Sequence, residues 1–493
     1  MAPQSLNYVT QWKQNIKELS MDTITGKHLK LNDWPDGRII GIAKRIGEQL
    51  SERGFDRETI LARLDAVRRN PGPFLADALM AELARECIRL AQKGMPSKDE
   101  LRKSSLAYPI WGRENIDEGS IAQMDNAMRL PISVAGALMP DAHIGYGLPI
   151  GGVLATENAV IPYAVGVDIA CRMRLSLYEV SPHLLGQKKG LFEAALIKQT
   201  AFGMGAQWKG SDRADHPVLD DSAWNATRLL VTLKDNAARQ LGTSGTGNHF
   251  VEWGTFGMYE PLFGLQPGEY LALLSHSGSR SVGFKIADRY SKLAMEKHPD
   301  LDKSVRHLAW LSLDSEEGQE YWLSMELAGR FASANHFVIH QRVAKAVGLK
   351  EAAVVENHHN FAWAEKLPDV RNVIVHRKGA TPASAGVLGV IPGSMGDAGY
   401  VVRGRGVSES LESASHGAGR LMSRKAALNS ISRSARDEYL RERGVTLLGG
   451  GIDESPQAYK PIESVIAAQR ELVDVIGKFM PRIVRMADEA GAF

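Results

Sequence analysis

Glycine divides this chain in two. Of its 48 glycines, few fall in the first hundred residues, while from about residue 105 onward they punctuate short apolar runs. Glycine weakens helix interiors and serves tight turns between strands. The distribution therefore predicts a helical N-terminal module over residues 1–100, followed by one large mixed α/β (α+β) domain over 101–493. Within the module, "RIIGIAKRIGEQLSERG" and "RETILARLDAVRRN" space their apolar residues by three and four, as amphipathic helices do. "GPFLADALMAELARECIRLAQKG" reads the same way, with Gly94 as its stop and Cys87 as a small core residue.

Beyond the module, "IGGVLAT", "YLALLSHSGSRSVG", "VIVHRKGA" and "GVLGVIPGSMGDAGYVVRG" read as buried strands that end in glycine-rich loops. Two helical stretches interrupt them, "YWLSMELAGRFASANHFVIHQRVAKAV" and the closing "IESVIAAQRELVDVIGKFM". Strands and helices mixed without a regular βαβ alternation point to a single large domain. There is no internal repeat and no low-complexity linker.

Composition narrows the function classes. Apolar residues at 44% and charged residues at 24% suit a globular protein. A net charge of +2 supplies no global attraction to nucleic acid, so any such contact needs a local basic patch. Two distant cysteines, Cys87 and Cys171, make no disulfide framework. The opening "MAPQSLNYVTQWKQNIKELS" has no apolar core of signal-peptide type, and no run of about 18 apolar residues occurs, so a cytoplasmic protein without a membrane partner is expected. GxxxxGK[ST], GxGxxG after a strand, HExxH, GxSxG and CxxC pairs are all absent, which removes the simplest nucleotide, protease, esterase and zinc-knuckle readings.

The chemistry-bearing residues sit in loops after the expected strands. "MPDAHIGYGLPIGG" offers Asp141 and His143, and "AVGVDIACRMR" offers Asp168 and Cys171, three apart. "GTSGTGNHFVEW" offers Asn248 and His249, "LLSHSGSRSVG" offers His276, and "VENHHNFAW" offers His358 and His359. A single histidine at a strand end is ordinarily a hydrogen-bonded structural residue. Several such loops over one sheet are where sites are assembled. A carboxylate, a thiolate and three imidazoles suit a divalent transition metal, or two ions sharing the thiolate, with zinc, manganese, iron and cobalt all open.

A second group of motifs suits an anion. "VHRKGATPASAG" holds Arg377 and Lys378, "IPGSMGDAGYVVRGRG" holds Gly393, Ser394, Gly396, Arg403 and Arg405, and "SASHGAGRLMSR" holds His416, Gly417, Gly419, Arg420 and Arg424. Glycine turns expose backbone amides that cradle phosphate oxygens, and arginine grips phosphate bidentately. The small neighbours of His416 do not bury an imidazole, which leaves structural, metal-ligand and nucleophilic roles open.

Together these motifs resemble those of the RtcB family of GTP- and metal-dependent RNA ligases. "MPDAHIGYGLPIGG", "GVDIACRMR", "GTGNHFVE", "HSGSR", "HHN", "HRKGA", "IPGSMG" and "SHGAGRLMSR" occur in that family's order over about residues 105–485. The resemblance implies joining of an RNA 3′-phosphate or 2′,3′-cyclic phosphate to a 5′-hydroxyl through a histidine–GMP intermediate. It implies His416 as nucleophile with Asp141 as a second catalytic residue. It implies manganese, two ions, held by Asp168, Cys171, His249, His276 and His359, the last chosen over His358 because it directly precedes Asn360. For GTP it implies Asn248, Phe250 and Glu252, the turn Pro392, Gly393, Ser394 and Met395, and Gly417, Ala418 and Gly419. Its partners would be RNA, such as transfer-RNA halves or other broken RNA, with a separate activating protein as a further candidate. RNA phosphates would lie along a rim of Arg172, Arg174, Arg280, Arg403 and Arg405. The bottom-up chemistry agrees: a neutral imidazole attacks phosphorus, and bound metal neutralises triphosphate charge.

Two features set the chain apart and mark it as a divergent paralogue. Met486, with Arg485 beside it, stands where the family pattern has a guanine-contacting lysine, and the N-terminal module is additional. The alternatives to ligation are a metal-dependent RNA-end-processing phosphoesterase and a non-ligating nucleotide- or RNA-binding homologue.

Overall fold

The computed structural model describes residues 24–92 and 99–488. Gly94, expected as a helix stop, the opening stretch before residue 24 and the tail from 489 lie outside them. The chain forms two compact units, one of residues 1–100 with 311–320 and one of 101–310 with 321–493.

The first unit contains α1 (Gly26–Leu31), α2 (Arg38–Glu52), α3 (Arg57–Arg69) and α4 (Ala81–Gln92). Ile39, Ile42, Ile46 and Leu50 of α2 pack with Ile60, Leu64 and Val67 of α3 and with Leu83, Ala84 and Cys87 of α4. The helix expected from residue 72 starts late. A short 3-10 turn covers Gly72–Phe74, and the Asp77 carboxylate then accepts from the Leu79 and Met80 amides at 2.8 Å each, an N-terminal cap that fixes where α4 begins. Cys87 is a buried free thiol, as its position on the apolar face requires.

The second unit is mixed helix and sheet. Its first helix is α5 (Glu118–Met128), followed by strands β1 (Ser133–His143), β2 (Ile150–Thr156) and β3 (Arg172–Tyr178). After α6 (Lys189–Gln199) and α7 (Arg228–Gln240) come β4 (Phe250–Met258) and β5 (Gly268–Ser277). Helix α8 (Arg280–Lys297) and the long α9 (Glu316–Ala346), which belongs to this unit from Tyr321 on, precede β6 (Ala353–His358), β7 (Asn360–Lys366) and β8 (Asn372–Lys378). Then come β9 (Ala380–Pro382), β10 (Leu388–Ile391), β11 (Gly399–Gly404), β12 (Ser413–Ser415), β13 (Thr446–Leu448) and β14 (Val473–Met486).

The larger sheet runs β10-β11-β14-β4-β5-β3-β6, with β13 parallel to β14 at its side. A four-stranded sheet runs β1-β2-β8-β7, and β9 pairs with β12. On one face of the larger sheet Val251, Trp253, Leu271 and Leu273 pack against Phe192 and Leu196 of α6 and Ile339 and Val343 of α9. Its other face carries Met173, Leu175, Phe250, Leu274, Val484 and Met486. The two-residue period of β3 thus sends Met173 and Leu175 one way and Arg172 and Arg174 the other.

The closing segment differs from the expected helix. Only Ile462–Ala467 is helical, and residues 473–486 form β14, in the middle of the sheet. Gly477 and Pro481 disfavour a helix there, and alternate residues such as Ile476, Val484 and Met486 supply a buried strand face.

Candidate functional site

The ligand-type residues converge at one end of β3, β5 and β4. Cross-strand register puts Met173, His276 and Phe250 in one row. His249 precedes β4, and the turn before β3 carries Asp168 and Cys171. That turn is folded tightly: Ala170 adopts a left-handed φ of 58°, its amide donates to the Asn360 carbonyl at 2.7 Å, and the Asn360 side-chain amide donates to the Asp168 carbonyl at 3.3 Å. Gly278 follows β5 where any Cβ would collide with the Asp168 carboxylate. His359 lies between β6 and β7, its amide donating to the Cys171 carbonyl at 3.0 Å.

The donor atoms face one another. Cys171 Sγ is 3.0 Å from His276 Nε2 and 3.4 Å from His249 Nε2. His276 Nε2 is 3.3 Å from His359 Nε2, and His249 Nε2 is 3.0 Å from Asp168 Oδ2. Two sets result, Cys171–His276–His359 and Asp168–Cys171–His249, each with its atoms within 4.8 Å of one another and with Cys171 common to both. The tautomer of His276 is fixed, because Nδ1 lies 3.0 Å from the Asn248 carbonyl and must carry the proton. Its Nε2 lone pair is therefore turned inward. Burial holds His276 neutral, down to about 3, and pushes His359 well below the usual imidazole range, with His416 and His276 adding to the effect. Inward lone pairs from neutral imidazoles beside a thiol suit a bound cation. Burial, reinforced by Asp168, pushes the Cys171 thiol well above its ordinary range, so the thiolate needs a metal to form. Burial also raises Asp168, but hydrogen bonding and charge from His249 outweigh it and hold the carboxyl low.

His416 follows β12, its ring centroid 5.0 Å from that of His359. Its Nδ1 lies 2.7 Å from Oδ2 of the fully buried Asp141, and the same oxygen accepts from the His416 and Gly417 amides at 3.1 and 3.2 Å. Burial raises Asp141, but His416, Lys460 and His143 together keep it below the usual carboxylate value. A carboxylate on Nδ1 makes Nδ1 the protonated nitrogen and leaves the Nε2 lone pair free. Gly419, at φ 73°, passes so close to the Asp141 carbonyl that a Cβ would collide with it.

A cavity of about 830 Å³ joins these groups. Asp168, Cys171, His276, His359 and His416 line it, as do Asn248, Phe250, Pro392, Gly393, Ser394, Met395, Gly417, Ala418 and Gly419. His249 is not in its wall but touches the cluster through Cys171 and Asp168. Glu252 also sits behind the wall, 4% exposed, with Oε2 unpartnered among the described residues, and burial pushes its carboxyl well above the usual range. The Gly417 amide is spent on Asp141, while no hydrogen bond from the Ala418 or Gly419 amide occurs among the described residues. His358 turns away and stacks on Trp363 at 5.0 Å.

The arginines correct the sequence reading. Arg172 and Arg174 are buried on the α9 face and pair with Glu356, Arg174 also with Glu351. Arg280 is buried, bonded to Thr243 Oγ1 and the Gly203 carbonyl, and burial lowers it to about 10. Arg403 pairs with Glu260, and Arg405 faces the Arg470 carbonyl and Asp474. No basic rim forms from these five. Arg377 is likewise internal, gripped bidentately by Glu365 beside Trp363. Arg420 and Arg424 reach the cavity but are paired with Glu454, Arg424 also with Asp453. Met486 lines the cavity, whereas the Arg485 guanidinium is held outside it by the Leu448 carbonyl and Asp488.

Several further residues support the site without being counted among its expected members. Lys460 fastens the Asp141 segment by donating to the Pro140 and Ala142 carbonyls at 3.1 and 2.8 Å. Asn360 ties the Asp168 turn to the Gly379 amide at 2.8 Å. Lys378 binds the Tyr146 carbonyl and, at 3.0 Å, that of Leu148, and its burial brings it down to about 7. The sequence signal for Asn360 is its place in "HHN", and that for Lys460 is its place in "AYKPIE", directly before the closing stretch.

A family model described as tRNA-splicing ligase RtcB matches residues 123–487. The RNA-splicing ligase RtcB of Escherichia coli strain K12 is 34% identical over 387 residues, covering 72% of this chain and 90% of its own length. The tRNA-splicing ligase RtcB of Thermococcus kodakarensis is 30% identical over 441 residues, 73% of this chain and 90% of its own. The RNA-splicing ligase RtcB of Mycobacterium tuberculosis strain H37Rv is 31% identical over 422 residues, 71% and 96%.

Proposed function

The chain belongs to the RtcB family of RNA-splicing ligases, and we propose from its site that it joins an RNA 3′-phosphate or 2′,3′-cyclic phosphate end to a 5′-hydroxyl through a guanylate carried on His416. The observation that carries this reading is the Asp141–His416 pair at 2.7 Å, beside the donor cluster in one cavity.

Asp141 holds the Nδ1 proton, so His416 Nε2 presents its lone pair to the α-phosphorus of GTP. The Nε2–P bond forms as the P–O bond to pyrophosphate breaks, and Asp141 stabilises the positive charge left on the imidazole. An oxygen of the RNA 3′-phosphate then displaces His416, giving an RNA–GMP anhydride, and a cyclic end is first opened by water. The 5′-hydroxyl attacks the RNA phosphorus, its proton is lost, and GMP leaves. The amides of Ala418 and Gly419 and the Pro392–Met395 turn seat phosphate oxygens in this scheme. Phe250 and Met395 flank the base, and Glu252 accepts from its N–H groups. The two donor sets would hold two divalent ions, manganese by family resemblance, which supply Lewis-acid neutralisation of phosphate charge. The RNA is a transfer-RNA half or another cleaved RNA, and an activating protein is a further partner of this reading.

The test is incubation of the full chain with manganese and α-labelled GTP. An acid-labile protein–GMP adduct is expected, lost in His416→Ala, and it should seal 3′-phosphate and 5′-hydroxyl RNA ends. Absence of an adduct with any nucleoside triphosphate would falsify the reading. An adduct without sealing would instead give the site another acceptor.

A further inference from the structure

The mouth of the cavity is unlike its interior. Tyr146 is 70% exposed, and Ile144 and Leu421 beside the same cavity are 61% and 60% exposed. The loop that displays Tyr146 is nonetheless fastened. The Gln123 side chain of α5 accepts from the Gly145 amide at 3.0 Å and donates to its carbonyl, and Lys378 donates to the Tyr146 carbonyl. A fixed backbone therefore holds this ring far into solvent.

Behind it the rings continue. His307 packs edge-on to Tyr146 with centroids 6.0 Å apart and to Tyr163 at 4.9 Å, and Tyr163 again lines the cavity. His307 belongs to the 3-10 turn Lys303–Leu308, whose exposed Lys303 and Arg306 have no ion pair among the described residues. That contrasts with Arg420 and Arg424 inside the cavity, both neutralised by carboxylates. An exposed aromatic face at the entrance to a site for phosphate chemistry, packed on a turn that carries exposed cations, is a combination suited to single-stranded nucleic acid: stacking is tolerant of base identity, and cations attract the backbone.

We propose that Tyr146, backed by His307 and Tyr163, with Lys303 and Arg306 on the same turn as His307, is a stacking platform for a base of the single-stranded RNA end that enters the cavity. The inference rests on the ligase reading for the identity of its ligand. It adds a binding residue that acts on RNA and not on the nucleotide donor.

The experiment uses the manganese-loaded full chain and a fluorescent ten-nucleotide RNA ending in a 3′-phosphate, alongside the same RNA with abasic 3′-terminal nucleotides. Anisotropy should show Tyr146→Ala weakening the natural RNA by about 5- to 100-fold, with Tyr146→Phe within about twofold of wild type. On the abasic RNA, wild type and Tyr146→Ala should bind alike. Lys303→Glu with Arg306→Glu should weaken both RNAs and lower the salt dependence by about one to two ions. Equal losses on the two RNAs, or no loss on either, overturn the platform. Adduct formation with labelled GTP in the absence of RNA is read separately on wild type. Its failure sinks the ligase reading, whereas its success together with base-independent binding sinks only the platform.

Discussion

One oxygen of Asp141 receives three hydrogen bonds from the His416 segment: from Nδ1 at 2.7 Å, from the His416 amide at 3.1 Å and from the Gly417 amide at 3.2 Å. The carboxylate therefore sets the tautomer of the ring and the position of the Gly417–Gly419 loop at once. Asp141→Asn removes the charge and allows an amide N–H to face Nδ1, which shifts the imidazole proton to Nε2 and blocks the attacking lone pair. Adduct formation measured in a single turnover should fall by roughly 10³- to 10⁴-fold, the scale seen when a histidine loses its orienting carboxylate. A loss under about tenfold would remove Asp141 from the mechanism.

Gly419→Ala tests the close approach on the other side of the same segment. The φ of 73° is strained for alanine, and the added Cβ meets the Asp141 carbonyl, a backbone atom held by its strand. The variant should lose about 1–3 kcal/mol of stability and most of the adduct. Thermal unfolding and labelling read the two effects, and an unchanged midpoint would mean the loop relaxes freely.

Much of this site was legible because the chemistry lies in loops whose small residues advertise close approach. Asp168, Cys171, His249, His276 and His359 come from four separate stretches and meet at one strand end. Long-range pairing was not legible. Nothing local distinguishes Arg172, whose guanidinium is buried on Glu356 184 residues away, from a solvated arginine. The alternation in "CRMRLSLY" held a clue, since Arg172 and Arg174 share the strand face opposite Met173 and Leu175. The closing strand is hidden in the sequence for a related reason. "IESVIAAQRELVDVIGKFM" satisfies helical spacing in its first half, and its second half, which Gly477 and the following Pro481 already turn from helix, pairs between β4 and β11.

Cys171 is shared by both donor sets, so its replacement separates metal binding from folding. Serine keeps the size but does not ionise at neutral pH, and it is a harder ligand than thiolate. Cys171→Ser should bind manganese at least about tenfold more weakly, the lower end of what loss of a supporting group costs a metal site. Metal content after dialysis and a circular dichroism spectrum check this. Full metal retention with a native spectrum would remove the thiolate from the ligand set.

Glu252 lies on the Phe250 face of β4 among apolar neighbours, one carboxyl oxygen without a partner among the described residues. A buried unpartnered carboxyl costs stability. In the proposed site a guanine base satisfies it, and Met486, which lines the cavity in front of that carboxyl's strand, cannot. Glu252→Leu should therefore hold or raise the melting temperature while the preference for GTP over ATP in adduct formation drops by at least about tenfold. Destabilisation with unchanged preference would make Glu252 structural.

Acid should unfold the second unit through histidines outside the donor cluster. His376 Nδ1 donates to the Leu154 carbonyl at 3.1 Å while its Nε2 accepts from the Ile161 amide at 2.9 Å, so only the neutral ring fits. The Ser275 hydroxyl lies 2.7 Å from both His336 Nδ1 and His340 Nε2, and burial disfavours a charge on either ring. Burial lowers His376 to about 4 and His336 to about 3. The unfolded chain takes up protons on these rings near pH 6.5, where the folded state does not, so it binds more protons between that value and the folded-state values. Stability is full above about pH 6.5 and falls as pH drops toward 4, by up to about 1.4 kcal/mol per pH unit for each such ring. Urea midpoints of metal-free protein should decline steadily from pH 7 to pH 5. In His376→Gln, whose amide can both donate to Leu154 and accept from Ile161, that decline should be shallower, and an identical slope would acquit His376.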